Sequence, residues 1–406
     1  MPNGTDIGTG ARIAAYRRLN RLTARGLALK AGISYSLLTK VESGFKPASP
    51  DMVAACARAM DVSVNTLYGR PDHLAHSHDR LDGPLSDLRA ALDNWDMPLE
   101  DLPVRPLDEI EADVRALVKA RRAAGFGQIA SFAPPLINEL VQATATLDGR
   151  DAELAHHLLV QVYRGAHDVA YGLGLTDLGA LLLARMDYSA QRSGDPYLMA
   201  LYRYMRAQTT FSTGRHEVGQ RIIDTARDEI AAGISAGDQA AVCAAGNLNL
   251  RAAILATRQG DGPRAREALA EAKRLAAMLP GEVVGEFSRG RHVMSFGPTN
   301  VSIHASAVEV ELGKWGDALR LAKKVHLPDG FPGDRIGHYW IDTARAQLWT
   351  GKNDAALASL LKARKAAPQQ AKYHPSVRET VAALVRAARS APDSLISYAT
   401  WAGVEL

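Results

Sequence analysis

The chain has 406 residues, of which 47% are hydrophobic and 23% charged, so it is long enough for two or more domains and too apolar to be disordered throughout. Its formal net charge is only +4, but residues 1–70 contain ten Lys or Arg and four acids, which gives this segment +6 and leaves −2 for the remainder. A basic N-terminal segment on a slightly acidic remainder is typical of a polyanion-binding module joined to a body with another role.

Cysteine usage and hydropathy narrow the cellular setting. Cys56 and Cys243 lie far apart on apolar helical stretches, which indicates two buried thiols in a reducing compartment rather than a disulfide framework. No apolar run approaches the roughly 20 residues of a membrane span, and the N-terminus lacks the basic start and apolar stretch of a signal peptide. We therefore expect a cytoplasmic protein that does not bind membranes.

The segment from Leu22 to Gly44 has the pattern of two short helices joined by a tight turn, following a first helix at residues 9–19. Thr23 predicts the N-terminal cap of one helix, and Ser34 predicts the cap of the next, which extends to about Ser43. Gly32 suits the left-handed turn between them. Leu27, Ala28, Ile33, Leu38 and Val41 are spaced to pack the two helices together at a steep angle. This arrangement predicts a helix-turn-helix, whose second helix enters the DNA major groove.

Residues 7–70 resemble the five-helix Cro/phage-repressor (XRE-type) DNA-binding domain. The positions that carry this resemblance are Leu22, Thr23, Leu27, Ala28, Ala31-Gly32-Ile33-Ser34, Leu38, Val41-Glu42 and Gly44, followed by the break from Pro47 to Pro50. The family often has Gln directly after the capping Thr, where it contacts phosphate, whereas this chain has Ala24. The resemblance implies a DNA-binding domain at residues 1–71 in which that contact is absent or is made by Arg25 or Arg17.

Candidate DNA contacts follow from position along these helices. Tyr35 and Ser36 stand at the N-terminal end of the second helix, where base edges are reached. Lys40 suits guanine or phosphate, and Leu37 suits a thymine methyl. The predicted DNA-binding set is Arg17, Thr23, Arg25, Tyr35, Ser36, Leu37, Thr39, Lys40 and Lys46. The alternative is that Tyr35 and Leu37 pack locally and the domain docks on protein.

Residues 72–106 are predicted to be a linker. Its polar first part holds His73, His76 and His78, and we interpret it as a mobile connection rather than a metal site, because no Cys or carboxylate set accompanies the histidines. Eight acids lie between residues 93 and 113. They are interpreted as a solvated helix start, with an acidic surface that docks on the basic domain as the alternative.

From residue 107 onward, Ala- and Leu-rich segments recur with a helical period and short Gly-, Asp- or Pro-containing breaks. The segment from Gly337 to Pro368 fits the signature positions of a tetratricopeptide repeat of about 34 residues, and weaker copies lie near residues 207–226, 246–277 and 306–322. This body resembles the tetratricopeptide domains fused to XRE-type heads in bacterial regulators, including peptide-pheromone-responsive ones. The predicted fold is therefore all-α: a five-helix head and an α-solenoid over residues 107–406, with a loop at 280–299. An armadillo-like or other α-solenoid is the alternative.

A solenoid of helix pairs presents a concave groove lined by its first helices. Asn247, Asn300 and His338 take the same place in three repeats, and an Asn side chain can donate to and accept from a peptide backbone at once, so such a row can hold an extended peptide. Arg345 suits a carboxylate. The predicted effector-binding set is Tyr204, Gln208, Asn247, Thr257, Asn300, Ile303, His338 and Arg345. The alternative is a solvated or self-packed groove.

These features together favour a transcriptional regulator. The sequence holds no P-loop, HExxH pair or CxxC, so no motif favours an enzyme, and we expect neither a cofactor nor a metal. We predict a homodimer on a palindromic double-stranded DNA operator, with a peptide or small-molecule effector in the groove. The alternative is an interaction scaffold whose head does not read DNA specifically, for which Ala24 is the supporting feature.

Overall fold

The computed structural model describes residues 8–62, 64–69, 81–99, 102–285, 287–288, 291–388 and 390–404. Within these ranges the chain forms 22 helices and one two-stranded hairpin. The predicted all-α fold, with a helix-turn-helix head and a body of repeated helix pairs, is confirmed. The head helices are α1 Thr9–Leu19, α2 Ala24–Ala31, α3 Tyr35–Glu42, α4 Pro50–Met60 and α5 Val64–Tyr68.

The body contains the remaining helices and both strands. These are α6 Asp82–Asp93, α7 Leu107–Arg122, α8 Phe126–Thr146, α9 Gly149–Leu173, α10 Thr176–Ala190, α11 Pro196–Thr213, α12 His216–Glu229, α13 Ala231–Ser235, α14 Gln239–Arg258, α15 Gly262–Ala276, β1 Phe287–Ser288, β2 Arg291–His292, α16 Pro298–Glu311, α17 Trp315–Ala322, α18 Gly333–Trp349, α19 Asn353–Ala366, α20 Pro368–Tyr373, α21 Pro375–Ala387 and α22 Asp393–Ala402.

The turn of the helix-turn-helix is built by side-chain caps. Thr23 accepts a hydrogen bond from the Gly26 amide at 3.0 Å, and Ser34 accepts one from the Leu37 amide at 3.2 Å. Each hydroxyl satisfies an amide that has no partner inside its helix. Gly32 has φ +67°, the left-handed conformation that ends α2. The caps predicted from the sequence are therefore confirmed.

Apolar packing and one arginine hold the head together. Ile13, Leu27, Leu38 and Leu67 are fully buried and bring α1, α2, α3 and α5 into one core. The Arg12 guanidinium donates to the carbonyls of Leu67 and Tyr68 at 2.8 and 3.0 Å, which ties α1 to the end of α5.

The body consists of packed helix pairs. The pairs α11–α12, α14–α15, α16–α17 and α18–α19 each pack closely. Their turns contain Gly214, Gly260, Gly313 and Gly351, all at left-handed φ between +67° and +76°. These are the glycines at which the sequence predicts breaks. A repeat of helix, left-handed turn and helix buries each apolar face on the next pair.

The prediction of a linker over residues 72–106 is wrong for residues 81–93. Residues 81–93 belong to the body, because Leu85, Leu88 and Leu92 on α6 are buried in its main core against α8. Apart from Gly69, the residues between α5 and this packed segment lie outside the described part of the chain, and the three linker histidines fall among them.

The predicted loop at 280–299 also has more structure than expected. β1 pairs antiparallel with β2, and Val283 forms an isolated antiparallel bridge with Phe296. Phe296 is fully buried and Met294 nearly so.

The head lies against the body through α4, α5 and the segment after α3. Arg58 donates to the Gly214 carbonyl at 3.3 Å, and the Thr9 amide donates to Glu379 at 3.3 Å. The Lys46 ammonium lies 5.3 Å from the ring centre of Trp349, which is itself stacked on Trp315 at 5.0 Å with an interplanar angle of 4°.

Among the described helices, α14 has the length and apolar composition needed to cross a bilayer, but 89% of that stretch is buried inside the fold. A core helix passes the same test, so this is weak evidence for a span.

Candidate functional site

The head presents α3 on its outer surface. Tyr35 is 48% exposed, and Ser36 and Lys40 are also exposed, while Leu37 and Thr39 are half-buried. The Arg25 guanidinium lies 5.5 Å from the Tyr35 ring centre, so the first turn of α2 supplies a cation beside the start of α3. This face combines a free helix end with positive charge, the two features that major-groove recognition uses.

Several of the predicted DNA contacts have partners inside the protein, and three of them, Arg17, Thr23 and Lys46, are engaged away from the outer face of α3. Arg17 forms a bidentate pair with Glu42, at 2.7 and 2.8 Å, and also donates to the Leu22 carbonyl. In this structure it joins α1 to α3, and its contact with a phosphate stays a prediction. Thr23 serves as the α2 cap. Lys46 faces Trp349 on the body.

A cavity of about 1170 Å³ opens inside the body and reaches the head. Eight arginines and six carboxylates line it, together with aromatic rings, and Pro50, Val64 and Tyr68 of the head form part of its wall. This volume exceeds the roughly 300–1,000 Å³ of ordinary small-ligand sites. The lining is unusually charged for such a site, so a polar occupant fits it better than an apolar one.

The cavity brings together six of the eight residues predicted to bind an effector. They are Tyr204, Gln208, Asn300, Ile303, His338 and Arg345. Asn247 lies behind the wall and donates to the Ser295 carbonyl at 3.0 Å. Thr257 is 1% exposed and donates to the Ile254 carbonyl of its own helix, so its interpretation as a groove residue is corrected.

Sequence reasoning missed several cationic residues of the cavity. Arg251 lies 4.2 Å above the Tyr204 ring centre. Arg164 is 9% exposed, and burial lowers its pKa to about 9, so it keeps its charge at neutral pH. Burial lowers the pKa of His167 to about 4, which leaves it neutral there. An arginine inside an otherwise apolar buried helix, as Arg251 is in α14, is the signal that the sequence offered.

A chain of buried and half-buried charged side chains connects the cavity with the head. Arg258 on α14 lies 2.8 Å from Glu311 on α16 and 3.5 Å from Asp51 on α4. Arg345 on α18 pairs with the same Glu311 at 2.8 Å and with Asp342 at 3.2 Å. Arg345 is therefore paired with internal carboxylates, and its contact with a ligand carboxylate stays a prediction.

The pKa values of the carboxylates in this chain of charges depend on their burial and on the arginines beside them. Burial raises the pKa of Asp51 to about 6, with Arg258 opposing the shift. Burial also raises the pKa of Asp342 to about 6. Burial alone would raise the pKa of Glu311 as well, but Arg258 and Arg345 together hold it below its ordinary value. Glu311 therefore stays ionised, and Asp51 and Asp342 are the carboxylates of this group that titrate near pH 6.

The family model described as a helix-turn-helix domain matches residues 10–67, the segment that forms α1 to α5. The head is a helix-turn-helix domain. The match covers that domain and none of the body. A comparison with curated proteins finds no match.

Among solved structures, one likeness is to Bacillus thuringiensis PlcR in complex with the peptide PapR7 and DNA. It covers 66% of this chain and 94% of that chain at 15% identity, with a TM-score of 0.28. A TM-score this low does not establish a common arrangement of the helices.

Proposed function

We propose that this protein is a sequence-specific DNA-binding transcriptional regulator whose helical body controls its helix-turn-helix domain. The observation that carries the proposal is the position of α3: its outer face is exposed, while the opposite side of the head, α4 and α5, lies against the body. A head held in this way can present a reading helix to DNA and report the state of the body at the same time.

The finer features of the proposal come from the sequence. The head is of the XRE type and occupies residues 1–71, and the body, from about residue 81, is a solenoid of tetratricopeptide-like pairs. We propose a cytoplasmic homodimer on a palindromic operator, because one short reading head gives little specificity alone and a two-fold dimer matches a two-fold site.

The cavity supports an effector site. Its arginines and carboxylates suit a polar peptide or small molecule, and the charge chain through Arg258 and Glu311 joins its wall to Asp51 of the head. A ligand there changes DNA affinity only if it binds the free and DNA-bound arrangements unequally. By reciprocity, DNA then changes the affinity for the ligand by the same factor.

The first test is selection from random duplex DNA with the purified full chain at physiological salt, followed by sequencing. We expect a two-fold motif, and the spacing of its half-sites then reports the separation of two heads. Recovery of no motif, with binding that vanishes as salt rises, would indicate phosphate attraction alone and would contradict the proposal.

An interaction scaffold is the second candidate. The feature that favours it is Ala24, which stands directly after the capping Thr23, where XRE-type heads often have a phosphate-contacting Gln. Lys40→Ala separates the candidates, because it weakens specific DNA binding in a regulator and leaves partner binding by a scaffold intact.

A further inference from the structure

The described residues 283–285, 287–288 and 291–297, called the strap below, lie in the connection between α15 and α16, and the stretch 291–297 contacts the first helices of three body pairs. The last part of the strap, residues 291–297, is called the arm. Its side chains alternate as in a strand: His292, Met294 and Phe296 are buried, while Arg291 is exposed and Val293 and Ser295 are half-buried. It is an extended stretch of chain in a body that is otherwise helical where the structure describes it.

One backbone oxygen of the strap collects three donors. The Ser295 carbonyl accepts from Asn247 Nδ2 at 3.0 Å, from Asn300 Nδ2 at 3.3 Å and from Arg335 at 3.0 Å. These donors come from α14, α16 and α18, three successive first helices. Asn247 and Asn300 are the side chains that the sequence assigned to a peptide backbone, and here that backbone belongs to the same chain.

Two further anchors hold the arm. The Phe296 ring lies directly over Gly246, where any Cβ would overlap it. The His292 amide donates to Asp195 at 2.7 Å, and the His292 ring lies 3.2 Å from Gln161 Nε2 and 3.3 Å from an Arg164 nitrogen. Each anchor uses a group that a free peptide also has: an aromatic side chain, a backbone amide or a hydrogen-bonding side chain.

The strap forms one wall of the large cavity, through Gly285, His292, Val293 and Ser295. Space for a ligand therefore begins at the arm itself. Within the described part of the chain, the Oδ1 atom of Asn300, a residue only 1% exposed, has no hydrogen-bond partner. Beside the occupied donors there is thus an unused acceptor that a peptide amide satisfies.

We infer that residues 291–297 are an internal occupant of the effector groove, and that the effector is a short extended peptide that replaces them. This rests on the proposed effector site. A departing arm removes the acceptor that Asn247, Asn300 and Arg335 share, and Asn247 and Arg335 keep only their bonds to the Cys243 carbonyl and to Asn247 Oδ1. A competing ligand must therefore supply a backbone carbonyl at the same point. It must also supply an aromatic side chain one residue later, for the space over Gly246.

The direct test uses the arm's own sequence as the probe. A fluorescein-labelled heptapeptide, Arg-His-Val-Met-Ser-Phe-Gly, is titrated into the full chain and into its His292→Ala variant, with anisotropy as the readout. His292→Ala loosens the internal arm while the labelled peptide keeps its own His. We expect the variant to bind the probe about tenfold more tightly than the wild type, the factor for one buried hydrogen bond. A probe with Ala in place of Phe serves as the matched control and binds more weakly.

Equal affinity of the wild type and the variant, or binding by neither while far-UV circular dichroism reports an intact helical fold, would overturn the inference. The DNA selection on the wild type is read separately. A DNA motif without peptide binding supports the regulator and contradicts the arm as an occupant of the groove. Peptide binding without a DNA motif supports the arm as an occupant and contradicts the regulator.

A second variant acts from the other side of the contact. Gly246→Ala adds a methyl where Phe296 lies and improves the helix propensity of α14, so it expels the arm without altering it. Hydrogen exchange followed by mass spectrometry is expected to show at least tenfold faster exchange in residues 291–297, with α14 unchanged. Faster exchange spread over the whole body would identify the arm as a core element and overturn the inference.

Discussion

The interiors of the head and the body differ in the polarity of their buried side chains. Among the described residues, Thr9 is the one polar side chain of the head that is almost fully buried, and the rest of that interior is apolar apart from the covered Arg17–Glu42 pair between α1 and α3. The body instead buries His157, Arg164, Asn247 and Asn300 in the midst of its helices. A small domain that only has to fold can use apolar packing alone, whereas an interior with a ligand-sized space needs polar groups placed in advance.

The difference also separates two kinds of stability. The head gains its stability from apolar area removed from water, which tolerates few gaps. The body gains specificity from pairs such as Arg258 with Glu311, in which each partner must be present because the other is buried. Substitutions in the two regions should therefore differ in size and in cause.

The largest expected effect is that of Glu311→Ala. It removes the carboxylate that Arg258 and Arg345 share, although their side chains are only 15% and 11% exposed, and it leaves them the longer contacts to Asp51 and Asp342. We expect the unfolding free energy to fall by about 3–5 kcal/mol. Asp317→Ala is the control, since its partner Arg320 is 68% exposed, and its loss should stay below about 1 kcal/mol. Guanidinium denaturation followed by circular dichroism measures both. Similar losses would erase the distinction between interior and surface charge.

In the head, Leu27→Ala tests the apolar core. Leu27 is fully buried and Leu29, two residues later on α2, is 86% exposed. We expect Leu27→Ala to lower the stability of the head by about 2–5 kcal/mol and Leu29→Ala to change it by less than about 0.5 kcal/mol. Hydrogen exchange of the α2 and α3 amides reports these values. An equally large loss for Leu29→Ala would mean that its side chain is covered in solution.

DNA affinity separates the free face of the head from its docked side. Lys40 on α3 is exposed, whereas Lys46 faces Trp349. We expect Lys40→Ala to weaken binding to the selected DNA about tenfold and to lower the salt slope by about 1, the effect of one lost phosphate contact. Lys46→Ala is expected to leave the slope unchanged. A reduced slope for Lys46→Ala would mean that the head leaves the body when it binds DNA.

The smallest effect concerns pH at the joint between head and body. In the docked state burial raises the pKa of Asp51 from its ordinary 3.8 to about 6. The docked head therefore binds this proton more tightly, so docking strengthens as pH falls through 6 and weakens as pH rises above it. From pH 7 to 5.5 one such group strengthens docking about fourfold.

Energy transfer between dyes on head and body measures this docking. The groups that face Asp51 are Arg258, Glu311, Arg345 and Arg58, and none of these four changes charge in this range. Asp342, whose pKa is also about 6, lies on α18 of the body. Asp51→Asn should remove the pH dependence, and Asp61→Asn at the exposed end of α4 should leave it in place. A pH dependence that survives in Asp51→Asn would assign it to another group.

Much of the fold could be predicted because its signals are local. Thr23, Ser34 and Gly32 each act within four residues of their own position, so the turn of the helix-turn-helix is readable from sequence. The glycines between paired helices are local signals of the same kind. The missed helix α6 had a readable apolar period at Leu85, Leu88 and Leu92, but the prolines and acids that follow it led to a boundary placed too late.

The candidate site was only partly predictable because its decisive contacts join distant parts of the chain. The sequence placed Asn247 and Asn300 on an inner face, since that follows from helix register. It did not indicate that their partner is the Ser295 carbonyl, which depends on how the strap folds back. The pair of Arg258 with Asp51 likewise exists only because head and body meet.

The stacked indoles of Trp315 and Trp349, with the Lys46 ammonium over one ring face, form an intrinsic spectroscopic probe of the contact between head and body. Two parallel chromophores at 5.0 Å couple their transitions, and a cation on one face shifts the emission of that ring. Both partners of the stack belong to the body, while the cation belongs to the head. Movement of the head therefore changes the emission of Trp349 and leaves the coupled ultraviolet band in place, so these two signals distinguish release of the head from unfolding of the body.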